Sequence, residues 1–195
     1  MIHIFARRSK PPTVLVMMGS TRAGRLCPKI AAWVVSVARE AADLNYELVD
    51  LADWHLPMND EPNIPEIGGY TQKHTRAWSE KVAGASAILF VTPQYNWGYP
   101  APLKNALDHL YKEWEGKPAA IVTYGGHGGT KCAAQLRQVT EALEMRSVAT
   151  MPAITLTEDM IRDGRVDPGK DFVAYEGAIR QMATELAALL EAPVS

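Results

Sequence analysis

From Thr13 onward the chain alternates short apolar runs with longer segments whose apolar residues recur at helical spacing. That alternation admits few architectures, because apolar runs of five or six residues separated by amphipathic helices bury themselves as a parallel sheet covered on both faces. Five strands are read: Thr13 to Met18, Tyr46 to Asp50, Ala87 to Thr92, Ala119 to Tyr124 and Ser147 to Met151. The third and fourth are apolar throughout, as central strands are. The helical spacing shows in Ile30, Val34 and Val37, in Leu103, Ala106, Leu107 and Leu110, in Leu136, Val139 and Leu143, and in Ile179, Met182, Ala183, Leu186 and Leu190. These positions are core. Five parallel strands wound in both directions give an α/β, flavodoxin-like doubly wound sheet of order 2-1-3-4-5 in a single domain, 1–195, with the basic start Met1 to Pro12 read as a flexible tail.

Two stretches break the rhythm. His55 to Tyr70 and Thr155 to Asp171 are rich in Pro, Gly and charge and are read as long irregular excursions. Composition narrows the function classes. Twenty basic against twenty-two acidic residues leave a net charge of −2, and no basic stripe with interleaved aromatics occurs, so nucleic acid is not an expected partner. Two distant cysteines without metal-ligand spacing and no apolar run of spanning length point to a cytoplasmic chain without a membrane segment.

In an open parallel sheet, ligands bind beyond the carboxyl ends of the strands where the winding reverses, so the loops after strands one, three and four are the ones to inspect. After strand one, Gly19 to Ile30 offers a turn glycine, the hydroxyls of Ser20 and Thr21, the guanidinium groups of Arg22 and Arg25, and a helix starting near Pro28. Such a loop cradles a phosphate. It is not a P-loop, because Arg25 and Leu26 stand where Lys and Ser or Thr would hold nucleotide and Mg²⁺. Nor does it carry the G-x-G-x-x-G pattern that would make Asp50 a dinucleotide ribose ligand. After strand three come Pro93, Gln94, Tyr95, Asn96, Trp97, Gly98 and Tyr99, a set of amides and rings able to grip the edge of a flat ligand. After strand four, four glycines surround His127 and leave backbone N–H groups bare of side chains. The absence of a G-x-S-x-G elbow removes the hydrolase reading of that glycine run. A phosphate cradle, an amide and aromatic grip and a bare wall together describe FMN as the ligand.

The stretches GSTRAGR (Gly19 to Arg25), TPQYNWGYPAPLKNALDHLYKEW (Thr92 to Trp114) and YGGHGGTKC (Tyr124 to Cys132) resemble the NADPH-dependent FMN reductase family, most closely its fungal NAD(P)H:quinone reductase branch. The similarity runs from Thr13 to Leu143 and weakens beyond Arg146. It implies bound FMN, NADPH or NADH as co-substrate, ping-pong hydride transfer to a small-molecule acceptor such as a quinone, azo dye, chromate or free flavin, and a homodimer or tetramer. It also implies that Ser20, Arg22, Arg25, Leu26 and Cys27 surround the FMN phosphate, that Pro93, Gln94, Tyr95 and Asn96 follow the ribityl chain and ring edge, and that Tyr124, Gly125, Gly126 and His127 lie by the isoalloxazine. Trp97 and Tyr99 then line the acceptor side, and no side chain serves as a general acid or base. Three positions depart from the family pattern: Arg25 stands where Ser is common, Cys27 where Asn is common and Gln94 where Glu is common. A flavodoxin-type electron carrier and a flavoprotein that binds a protein partner through His55 to Tyr70 in a redox-dependent way are the other readings.

Overall fold

The computed structural model describes residues 10–58 and 60–192, so most of the basic start lies outside the described residues. Six strands make one parallel sheet: β1 (Thr13–Met18), β2 (Asn45–Asp50), β3 (Ala87–Pro93), β4 (Pro118–Gly125), β5 (Arg146–Ser147) and β6 (Ala153–Thr155). Their order is β2-β1-β3-β4-β5, with β6 also paired to β4, which is the doubly wound order expected. Period-two alternation divides each strand between two cores. Val14, Val16 and Met18 of β1 pack under α1 (Cys27–Ala41) and α7 (Glu176–Glu191), while Leu15 and Met17 face α2 (Lys73–Ala83), α3 (Ala101–Asp108) and α4 (Thr130–Ala142). All of β3 is buried, so each large apolar side chain in it contributes about 1.5–3 kcal/mol by leaving water. Among the described residues, no helix is long and apolar enough to cross a membrane.

The fifth strand departs from the sequence reading. Instead of one run over Ser147 to Met151, β5 pairs with Pro118 and Ala119 and β6 with Thr123 to Gly125, so the two pieces share one edge of β4. The gap has a physical cause. Glu185 of α7 accepts hydrogen bonds from the Thr150 backbone N–H at 2.8 Å and from its hydroxyl at 2.6 Å, which draws Thr150 out of the ladder. Pro152, with no N–H to donate, only accepts, from Thr123 N at 2.9 Å. Thr155 to Asp171, read as irregular, ends β6 and then forms two short helices, α5 (Glu158–Asp163) and α6 (Pro168–Asp171).

The described residues of the stretch His55 to Tyr70 are irregular as expected, apart from a 3-10 turn at Pro65–Ile67. Its anchor is Glu61. The first residues of α2 leave N–H groups without helical acceptors, and Gln72 supplies no side-chain cap. Glu61 reaches across to accept from Thr71 N at 2.8 Å, the Thr71 hydroxyl at 2.9 Å and Gln72 N at 3.0 Å. Burial would raise this carboxyl, but the Thr71 and Gln72 donors outweigh it and hold it at about 2, against an ordinary 4.5. A depressed folded-state pKa means that the contribution is complete above the unfolded value and is lost as pH falls from about 4.5 toward 2. Urea denaturation across that window should therefore show a shallower acid loss of stability in Glu61→Gln than in the parent; identical slopes would contradict the role given to Glu61.

Candidate functional site

The parallel register sets Met18 beside Val91 and Val91 beside Val122, so β1, β3 and β4 run toward the same end of the sheet and their three loops follow from it, β3 and β4 reaching slightly further to Pro93 and Gly125. Gly19 starts the first loop with its N–H bonded to Val91 O at 2.9 Å. A Cβ there would sit 2.6 Å from Thr92 Oγ1, so only glycine lets β1 turn this close to β3. Ser20 is fully buried, and its hydroxyl lies 2.8 Å from the Tyr95 hydroxyl, which ties the first loop to the second. The Arg22 guanidinium carbon stands 4.2 Å above the Tyr95 ring, a cation–π contact.

The two arginines differ in charge state of their surroundings. Arg25 pairs with Asp50 at the end of β2, whose other oxygen accepts from Ala52 N at 3.0 Å and caps the turn Leu51–Asp53. Arg22 has no carboxylate partner among the described residues, so it is the uncompensated cation of the loop. Arg25 Nε is buried without a hydrogen-bond acceptor, an unmet donor at the loop's inner side. Directly behind, α1 begins with neither a side-chain cap nor an acidic residue in its first turn, leaving its positive end free. Cys27, at that first turn, is fully buried, and its Sγ donates to Val91 O at 3.4 Å.

In the second loop Gln94 extends the ladder past β3, donating from its N–H to Tyr124 O at 2.8 Å. Its side-chain Oε1 accepts from Cys132 N in the first turn of α4 at 3.1 Å, so the amide's NH₂ is the end left free. Tyr95 and Gly98 then close a two-residue hairpin, with Asn96 at φ 48° and Trp97 at φ 70°. Both central residues in the left-handed region make this a type I′ geometry, strained for a tryptophan. Trp97 is nonetheless 64% exposed, with Lys131 Nζ 5.3 Å from its ring centre. In the third loop the Gly126 N–H takes part in no hydrogen bond among the described residues. Gly129 turns the chain into α4 at φ 98°, where a Cβ would fall 2.7 Å from Thr123 Cβ.

Burial, reinforced by neighbouring Cys27, raises the Tyr124 phenol far above its ordinary value. Burial likewise raises the Cys27 thiol, despite its contact with Tyr124, and pushes the Cys132 thiol up to about 12. All three groups stay neutral near pH 7, so none supplies a thiolate or phenolate to the site.

Between the loops lies a cleft of about 270 Å³. Of the residues expected from the sequence it is lined by Arg22, Arg25 and Leu26, by Pro93, Gln94 and Tyr95, and by Tyr124, Gly125 and Gly126. Ser20 and Cys27 lie buried outside its lining, Asn96, Trp97 and His127 are exposed outside it, and Tyr99 packs against the α2–α4 core instead. The sequence reading missed Leu156 and Ile161, which close the wall from beyond the broken edge strand, with Ile161 Cδ1 3.4 Å from where a Gly126 Cβ would be. Asp50 was weighed only as a ribose ligand; its place is behind Arg25. The signals for α5 were Thr157 as N-cap, Glu158 and Asp159 in the first turn and Gly164 just past the end, around the apolar pair Met160 and Ile161. The cleft wall carries two arginines and no carboxylate.

This chain is similar to an NAD(P)H-dependent FMN reductase of Schizosaccharomyces pombe, 54% identical over 92% of this chain and 91% of the relative. It is also similar to an NADPH:quinone oxidoreductase of Arabidopsis thaliana, 32% identical over 73% of each chain. Among solved structures, the flavoenzyme NAD(P)H:(acceptor) oxidoreductase FerB of Paracoccus denitrificans superposes with a TM-score of 0.69 at 22% identity, covering 91% of this chain and 98% of that one, a likeness of fold. The model of the NADPH-dependent FMN reductase family matches residues 12–158, from the entry to β1 through all three cleft loops, and the chain belongs to that family.

Proposed function

We propose that this protein is an oxidoreductase that binds FMN in the cleft, takes reducing equivalents from NAD(P)H and passes them to quinones or related small acceptors in a ping-pong cycle. Family membership supports the enzyme class and the FMN and NAD(P)H dependence. The observation that carries the reading is the polarity of the cleft: an uncompensated Arg22 and an uncapped helix end at one side, a wall without side chains at Gly125 and Gly126 at the other. A phosphate and a flat ring on one ligand meet those two ends.

The residues present fit FMN. The buried Arg25 Nε lacks an acceptor, and the Gly126 N–H is free. Arg22 would pair with the phosphate, the N–H groups at the start of α1, including that of Cys27, would donate to it, and Arg25 would be held in place by Asp50. Gln94, fixed at its Oε1 by the start of α4, would direct its NH₂ to the ring edge, beside the Gly126 N–H. Bound there, FMN would supply two-electron transfer between NAD(P)H and the acceptor. The Gln94 NH₂ and the Gly126 N–H, both on the cleft lining, would be the donors available to negative charge developing on the ring. Tyr124, Cys27 and Cys132, held neutral near pH 7, would not act as bases beside it. Exposed Trp97, two residues on from the lining residue Tyr95, would offer its ring to planar acceptors, which would favour a broad quinone-like range over one shaped substrate.

Removing the uncompensated charge should loosen the phosphate without altering the rim. Titration of FMN into the flavin-free protein should show Arg22→Ala binding about 10- to 100-fold more weakly, as expected for a lost charge-assisted contact, with the ranking of acceptors kept. Equal affinity in variant and parent would take Arg22 out of the site. Initial rates measured over a grid of NADPH and benzoquinone concentrations should give parallel double-reciprocal lines. Intersecting lines would show that both substrates occupy the cleft together and would exclude the ping-pong cycle.

A further inference from the structure

A second cavity, of about 290 Å³, lies between the loop after β2 and the end of α3 and shares no lining residue with the cleft. Its charge is opposite in sign. Asp60, Glu61 and Asp108 line it together with His109, and no lysine or arginine does. Two of the three carboxylates are already committed: Glu61 caps α2, and Asp108 accepts from Lys104 Nζ at 2.6 Å through both oxygens. Asp60 faces a histidine instead, with His74 Nε2 2.9 Å from Oδ2 and 3.1 Å from Oδ1.

His109 completes the group. Its Nδ1 is 2.8 Å from Asn105 O, and a carbonyl can only accept, so the proton sits on Nδ1 and the Nε2 lone pair is left free. Metal-ligating histidines are held in this way, one ring nitrogen donating to a carbonyl while the other ligates. His109 is itself buried, 7% exposed, and its backbone caps the end of α3, so its ring cannot wander. The His74 and His109 rings stand 6.1 Å apart, and one ligand atom each from Asp60, His74 and His109 lies within 4.8 Å of the others.

We propose that Asp60, His74 and His109 form a divalent metal site of the zinc class, with a water from the adjoining cavity as the fourth ligand. Two imidazoles and one carboxylate match the N/O donor set of a four-coordinate zinc with one open position. The all-oxygen preference of calcium and magnesium is not met. Ligand bonds of about 2.1 Å in a tetrahedron place ligand atoms about 3.4 Å apart; His74 and Asp60 already lie within that separation, and His109 is the member that has to approach. The ion would join three elements that sequence separates: the loop after β2 through Asp60, the first turn of α2 through His74 and the end of α3 through His109. It lies outside the cleft and would act by fastening the long loop, not by entering the redox reaction.

The test uses tag-free holoprotein, stripped with a chelator, returned to chelator-free buffer and titrated with zinc chloride by calorimetry. One equivalent of zinc per chain should bind and raise the thermal midpoint of the parent. Asp60→Asn and His74→Gln should each weaken binding by about tenfold or more and abolish the zinc-dependent rise, while their metal-free midpoints report that they fold. His55→Gln, a change in the neighbouring imidazole whose ring lies 6.5 Å from that of His74, should leave binding intact. No saturable binding by the parent would overturn the site, as would undiminished binding by Asp60→Asn and His74→Gln or an equal loss in His55→Gln.

Discussion

The level register of β1, β3 and β4 is the constraint on which the cleft depends. Because Met18, Val91 and Val122 lie side by side, three loops far apart in sequence leave the same end of the sheet. The order of the sheet sets that place, since the chain winds one way from β1 to β2 and the other way from β3 to β4, and the gap between the two windings stays open. Local chemistry then keeps the loops close. Gly19 passes against Thr92 with no room for a side chain, and Gln94 carries the ladder one bond beyond β3 while its amide caps α4. A backbone role and a place on the cleft wall thus fall on the same residue.

Charge is distributed across the molecule as deliberately as shape. A chain of net charge −2 places two arginines and no acid along the cleft, and neutralises one of them with Asp50. The Arg25–Asp50 pair is partly buried, where leaving one partner alone costs far more than the pair itself contributes, so it works as a fixed strut. Arg22 stays available and is steadied by the Tyr95 ring, which Ser20 fixes in turn. The second cavity has the reverse balance, three carboxylates and an imidazole. One fold therefore carries a basic cleft and an acidic cavity that share no lining residue.

Much of this was legible in the sequence, and the reasons differ by element. β1, β3 and β4 announce themselves because strands buried on both faces read as unbroken apolar runs. The edge strand did not, since its interruption depends on Glu185, which reaches Thr150 from a helix 35 residues away. Arg22, Gln94, Tyr95 and the Gly125–Gly126 wall were visible because turn glycines, amides and arginines at strand ends have few other uses there. The side chains of Cys27 and Tyr99 turn into the protein, toward Val91 O for Cys27 and the α2–α4 core for Tyr99, a direction that residue type and order along the chain do not carry. Leu156 and Ile161 came from a stretch with no helical period long enough to read. The Asp60, His74 and His109 group has no spacing signature at all, because three different elements deliver its members.

The most direct test of the central claim is the visible spectrum of the purified protein under anaerobic conditions, before and after NADPH or NADH and again after benzoquinone. The account predicts flavin absorption that a pyridine nucleotide bleaches and the quinone restores. A colourless protein that takes up no added FMN, or a yellow one that neither nucleotide bleaches, would contradict it.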